Sequence, residues 1–232
     1  VESRGLGDVY KRQLLHTWDK TKGFLRKAGT IILVCNMVVQ IMATFTPGFV
    51  VAAEDSSDSI LAMIASPVAV LLIPVVGFAS WQLAAAAITG FIAKENVVGT
   101  LATVFCITNF IDTDELALVS GGSEVAAIMG LTKVAALAYL MFNLFTPPCF
   151  AALGAMNSEM KSGKWLAGAI GFQLATGYVI GFVVYQAGTL ITTGSLGAGF
   201  IGGLIAVLII AAFITYLCIH ANKKLKAEYA LD

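Results

Sequence analysis

Charge is scarce in this 232-residue chain: Asp, Glu, Lys and Arg together make up 12% of it. A soluble domain carries roughly 25%. A surface so thinly charged is not held in water, which excludes an ordinary soluble domain. Neither sign dominates, because fourteen basic residues meet fourteen acidic ones. No basic field is left to hold nucleic acid. Histidine is nearly absent, and His16 and His220 have no partner at metal-ligand spacing. The four cysteines (Cys35, Cys106, Cys149, Cys218) stand far apart with no CxxC pair, which argues against a zinc site or a disulfide framework. No Walker A sequence is present, since Gly163-Lys164 is followed by Trp165 rather than Ser or Thr. Gly197–Gly202 spells GxGxxG, but no strand precedes it and it opens an apolar run, so it fails the context of a dinucleotide loop. No Ser-His-Asp or Cys-His arrangement is visible, which leaves an intramembrane enzyme without a nucleophile–base pair.

What is present is apolar length. Hydrophobic residues make up 58% of the chain, and a helix crossing a bilayer needs about 20 of them in succession. Six stretches qualify or nearly qualify: 28–45, 60–78, 82–108, 125–147, 165–187 and 197–219. The expected fold is all-α, a polytopic transmembrane helical bundle of about six spans. Residues 14–27 mix Lys and Arg with Trp18, Phe24 and Leu25, a pattern that suits an amphipathic helix in the membrane interface. Residues 28–120 then form a core membrane segment, 121–222 a C-terminal segment and 223–232 a tail. Basic residues cluster at Lys20–Lys27, at Lys161 and Lys164, and at Lys223–Lys226, whereas the loops at Glu54–Asp58 and Asp112–Glu115 have none. Six spans with both termini in the cytoplasm put every basic cluster on the cytoplasmic side, as the positive-inside rule requires. Lys133, alone inside the fourth stretch, is not explained by that rule. Residues 1–13 read as translated library-preparation adapter, because Asp8-Val9-Tyr10-Lys11-Arg12-Gln13 is what a common transposase adapter encodes. A segment of that kind carries no information about the fold, and the chain is expected to be a fragment of a longer frame.

Polar and helix-breaking residues inside the apolar runs are the candidate functional positions. Lys94-Glu95 falls within the third stretch, where a charge costs about 2.5–3.5 kcal/mol on insertion scales. Such residues face a bundle interior or a watery path; the other reading is that the span breaks there. Pro67 and Pro74 interrupt the second stretch, and Pro147-Pro148 end the fourth, because proline has no N–H to donate. Broken helices point to a transporter's binding site, although proline also serves helix packing. Cys149 at such a break is able to ligate a borderline cation; on chemistry alone a lone membrane cysteine is more often small apolar filler. Asn143 is polar at depth and suits either a ligand or an interhelical hydrogen bond. Gly177 and Gly181, then Gly199 and Gly203, have the spacing that lets helices approach closely.

At these residues the chain resembles the membrane domain of ferrous iron transport protein B (FeoB), from about Trp18 to Gln186. Gly90-Phe-Ile-Ala-Lys-Glu-Asn-Val-Val-Gly-Thr100 is similar to that family's Gly-x-x-Ala-Lys-Glu-x-Val-Val-Gly-Thr. Phe142-Asn-Leu-Phe-Thr-Pro-Pro-Cys-Phe-Ala-Ala-Leu-Gly-Ala155 is similar to its Pro-Cys followed by small residues, and Arg26–Ile32 fits more weakly. Pro147 adds a proline that many members lack. The resemblance implies a bacterial cytoplasmic-membrane protein whose cargo is Fe2+, with no permanently bound cofactor. It implies Cys149 as a residue that touches the iron and puts the family's Lys-Glu pair on Lys94 and Glu95. The hypothesis added to it makes Cys149 a soft ligand, Glu95 a hard ligand or proton-coupled counter-charge, Asn143 an oxygen donor and Lys94 a charge on the path. GTP and Mg2+ would belong to an N-terminal GTPase domain which, like a first gate segment, lies outside this chain. Small cytosolic proteins of the iron system and a second copy of the chain are further implied partners. A gate-type transporter of nucleosides or another divalent metal is the alternative, and a non-transporting membrane scaffold is a third reading.

Overall fold

The computed structural model describes residues 6–51, 57–91, 94, 96–104 and 129–229. Among these, eight α-helices follow one another: α1 Leu6–Thr44, α2 Ile60–Val76, α3 Trp81–Gly90, α4 Asn96–Val104, α5 Lys133–Phe145, α6 Phe150–Met160, α7 Gly163–Thr193 and α8 Phe200–Tyr229. The only β-type pairing among the described residues is a single bridge between Phe45 and Val51. The expected all-α membrane bundle is the fold observed.

The way the apolar runs are divided differs from their appearance in the sequence. α7 and residues 200–220 of α8 are long and apolar enough to cross a membrane, and α2 with α3 forms a third such unit bent by 97°. Part of the six-span expectation falls on 105–128, outside the described residues. The interfacial helix expected at 14–27 and the first apolar run form one uninterrupted α1, which also takes in residues 6–13. Nothing in 6–44 forces a stop, because this stretch contains no proline.

α2 opens on Ser59, whose side chain accepts the Ala62 N–H at 3.1 Å, the usual way of satisfying a free amide at a helix start. It then runs through both Pro67 and Pro74. The expected break at these prolines does not occur; it lies instead at Gly77. That residue is left-handed (φ 91°), and its amide bonds back to Ile73. A Cβ at this position would collide with the Tyr185 hydroxyl, so the elbow requires glycine on both counts. Ser80 caps the start of α3 through the Leu83 amide, and the chain leaves the elbow crosswise to α2.

The core gathers Leu72 and Val75 of α2, Leu83 of α3, Tyr139 and Phe142 of α5, and Tyr185 of α7. α5 and α7 touch through glycines. A Cβ on Gly177 would lie 3.0 Å from the Phe142 carbonyl oxygen, and one on Gly181 would lie 3.1 Å from Phe142 Cβ and 2.9 Å from Val75. Gly203 of α8 seats Phe182 and Pro74, and Gly199 (φ 74°) lies against Ile73 and Pro74. Outside this core the long helices show apolar side chains outward, such as Ile191 at 84% exposure and Ile201 at 73%. This surface belongs against lipid tails. Lys133, unexplained in the sequence, is exposed at the first position of α5, next to the capping Thr132.

Candidate functional site

The third apolar stretch does not cross as one rod. Thr89 and Thr100 bring their hydroxyls within 2.8 Å, whereas eleven residues of continuous helix would separate them by about 16 Å along the axis. The chain therefore folds back on itself, with α3 and α4 as the two arms of a helical hairpin and Lys94 at its tip. Gly90 makes the reversal possible, because a Cβ there would lie 2.7 Å from Val97 Cγ2. Of the Lys94-Glu95 pair, Glu95 lies outside the described residues.

A second break faces this tip. α5 ends at Phe145; Thr146 is extended (φ −68°, ψ 162°), and Cys149 is the N-cap of α6 with no side-chain capping bond. In a continued helix, the amides of residues 147 and 148 would bond the carbonyls of Asn143 and Leu144. Both residues are proline and have no N–H. Lys94 supplies the missing donors. Its Nζ donates to the Asn143 carbonyl at 2.9 Å, to Leu144 at 3.0 Å and to Thr146 at 3.1 Å. The ammonium also stands at the negative end of the α5 dipole. Thr146 adds a hydroxyl bond to the Asn143 carbonyl at 2.8 Å, and its own side chain is buried.

The remaining candidates gather around this pair of breaks. Asn143 donates its amide to the Tyr139 carbonyl at 2.9 Å and turns its oxygen toward Gly90. Cys149 is half-buried and lies three residues beyond Thr146, whose carbonyl accepts from the Lys94 ammonium. A cavity of about 410 Å³ opens beside them, lined by Lys94, Thr146, Pro148, Phe172, Gln173 and Thr176 among others. Gly177 and Gly181 bring α7 against the side of α5 that carries Phe142. Gly199 and Gly203 lie elsewhere, at the contact of α8 with α2 and α7. Among the described residues no three His, Cys, Asp or Glu side chains gather as a metal cluster.

Several polar residues at the site were not singled out in the sequence. Tyr139 bonds the Leu83 carbonyl, and Thr89 is fully buried with a further bond to the Ala86 carbonyl. Gln173 Oε1 is buried with no hydrogen-bond partner among the described residues. Away from the site, where α8 meets α2 and α7, Gln186 accepts the Gly197 amide at 2.9 Å and reaches the Pro74 carbonyl at 3.4 Å. Each is a polar residue inside an apolar run, the same signal that exposed Asn143.

Long lipid-facing helices, a folded-back hairpin and a proline-broken helix define an all-α integral membrane protein with its polar chemistry at the helix breaks. The Gate family, described as nucleoside recognition, matches residues 25–163. This span takes in both breaks, and the chain belongs to that family. Among curated proteins it is similar to the Fe(2+) transporter FeoB of Staphylococcus aureus (strain COL), 32% identical over 176 residues covering 75% of this chain and 24% of that protein. The FeoB of Methanocaldococcus jannaschii is 28% identical over 186 residues, 77% of this chain and 25% of its own length. That of Salmonella typhi is 26% identical over 219 residues, 76% and 28% respectively. The chain thus spans about a quarter of the length of these relatives. No solved structure matches it.

Proposed function

We propose that this chain is a permease segment of a ferrous-iron transporter, carrying Fe2+ past the junction of the hairpin tip with the α5–α6 break. The similarity to Fe(2+) transporters from bacteria and an archaeon supports the cargo. The observation that carries the location is the meeting of Lys94 with the carbonyls just before Pro147-Pro148-Cys149. Fe(II) is borderline in softness and takes a thiolate together with harder oxygen donors. Cys149 would supply the sulfur, with Asn143 and Glu95 supplying oxygen. A set this small holds the ion weakly enough to release it, as conduction requires. A GTPase domain and a first gate would be supplied by the rest of the transporter, and both termini of this segment would face the cytoplasm.

The test is a chimaera in which residues 18–186 replace the matching segment of the Staphylococcus aureus transporter, expressed in cells lacking their own Fe(II) uptake. Radioactive Fe(II) uptake is expected, unaffected by excess nucleoside. Cys149→Ser is expected to lower it about tenfold or more, on the scale of losses at metal sites, with insertion intact. Normal uptake by that variant removes Cys149 from the path. Nucleoside competition would instead favour the solute named in the family's description.

A further inference from the structure

The two prolines after α5 do more than end a helix. They leave the Asn143 and Leu144 carbonyls without amide donors, and the Thr146 carbonyl points to the same spot. Three neutral oxygens converge on one point at a helix C-terminus, where the dipole favours positive charge. This is the donor geometry of a seat for one small dehydrated cation, and the ammonium of Lys94 already sits in it at 2.9–3.1 Å. The adjoining cavity holds a further polar residue. Gln173 also lines it, and its buried side-chain oxygen has no partner among the described residues.

We propose that the C-terminal end of α5 is a cation-binding seat whose resident occupant is the chain's own Lys94 ammonium, and that this occupancy locks the hairpin tip over the Cys149 junction. Lys94 reaches the seat from a hairpin fastened elsewhere by the Thr89–Thr100 and Tyr139–Leu83 bonds. The lock is therefore a tethered ion that leaves and returns without loss to solvent. A small cation entering the cavity competes with it for the same oxygens. The inference does not depend on which solute is carried.

The test uses the full chain in detergent with Cys149 as the sole cysteine, and it reads labelling of Cys149 by a small water-soluble thiosulfonate. Lys94→Met keeps an unbranched side chain one atom shorter and removes its charge. It is expected to speed labelling about tenfold or more, the factor that corresponds to losing one hydrogen bond to a charged group. Lys94→Arg is expected to stay near the parent rate. Lys94→Gly empties the seat, and butylammonium should then restore protection while butan-1-ol, its neutral counterpart, should not. Equal labelling of the parent and Lys94→Met overturns the lock. Fast labelling of Lys94→Gly that butylammonium fails to slow overturns the seat and leaves Lys94 a mere spacer. Should the glycine variant not fold, the Met and Arg comparison decides the proposal alone: equal rates for Met and Arg overturn it.

Discussion

Tyr139 of α5 donates its hydroxyl to the Leu83 carbonyl of α3 at 2.7 Å, with both residues buried. The bond fastens the first arm of the hairpin to the helix whose broken end the hairpin tip holds. Tyr139→Phe keeps the ring packing and removes only this bond, while Leu83 retains its helical amide partner. Interhelical hydrogen bonds in membranes average about 0.6 kcal/mol. A small drop in the thermal midpoint of the detergent-solubilised protein is expected, and an unchanged midpoint would mean that packing alone sets the arm.

The hairpin itself is open to a direct test. Thr89→Cys combined with Thr100→Cys, in a chain without its native cysteines, is expected to form an intramolecular disulfide on mild oxidation. The parent hydroxyls are 2.8 Å apart. A straight helix would hold the two positions about 16 Å apart along its axis, well beyond the reach of any disulfide. A mobility shift on reduction checks the prediction.

Two glycines of α7 should respond in opposite directions. Gly177→Ala pushes a methyl to 3.0 Å from the Phe142 carbonyl oxygen. Backbone gives way poorly, so a loss of about 1–3 kcal/mol is expected, as for overpacking elsewhere. Gly168→Ala meets nothing within 4 Å and removes a flexible residue from a helix interior, a gain of about 0.5–1 kcal/mol. Denaturant unfolding of both variants reads the contrast.

Gln186→Leu should loosen the join between α7 and α8. The Gly197 amide loses its acceptor at 2.9 Å, and the Pro74 carbonyl loses a donor. A buried group left unsatisfied costs about 1–3 kcal/mol. Faster proteolytic cutting at residues 194–199 is the expected sign, and parent-like resistance would place the join in the Gly203 packing instead.

The sequence disclosed the membrane class and the all-α fold because both depend on apolar run length, which is additive along the chain. The proline pair at 147–148 was legible as a break for a related reason, since the missing N–H is a local fact. The fold-back between α3 and α4 was not visible. Residues 82–108 are apolar enough for one span, and the reversal depends on Gly90 admitting Val97 and on Thr89 finding Thr100, which are contacts that hydropathy does not encode. Pro67 and Pro74 misled in the opposite direction: the helix continues through them and stops where Gly77 alone fits beneath Tyr185. Lys94 and Asn143 stood out as polar residues in apolar surroundings. That the lysine answers two prolines some fifty residues away was not legible until the elbow and the hairpin were in place.

The elbow at Gly77 has a consequence for depth. A helix that leaves its predecessor at 97° gains almost no height along the direction of that predecessor. The ten residues of α3, about 15 Å of helix, therefore deliver the tip sideways, at the level where α2 ends, instead of carrying it toward the far face. Lys94 reaches the broken end of α5 by lateral travel, so sliding α2 up or down its axis would raise or lower the ammonium almost one for one. Turning α2 about its axis would sweep the same charge across the bundle like the hand of a clock.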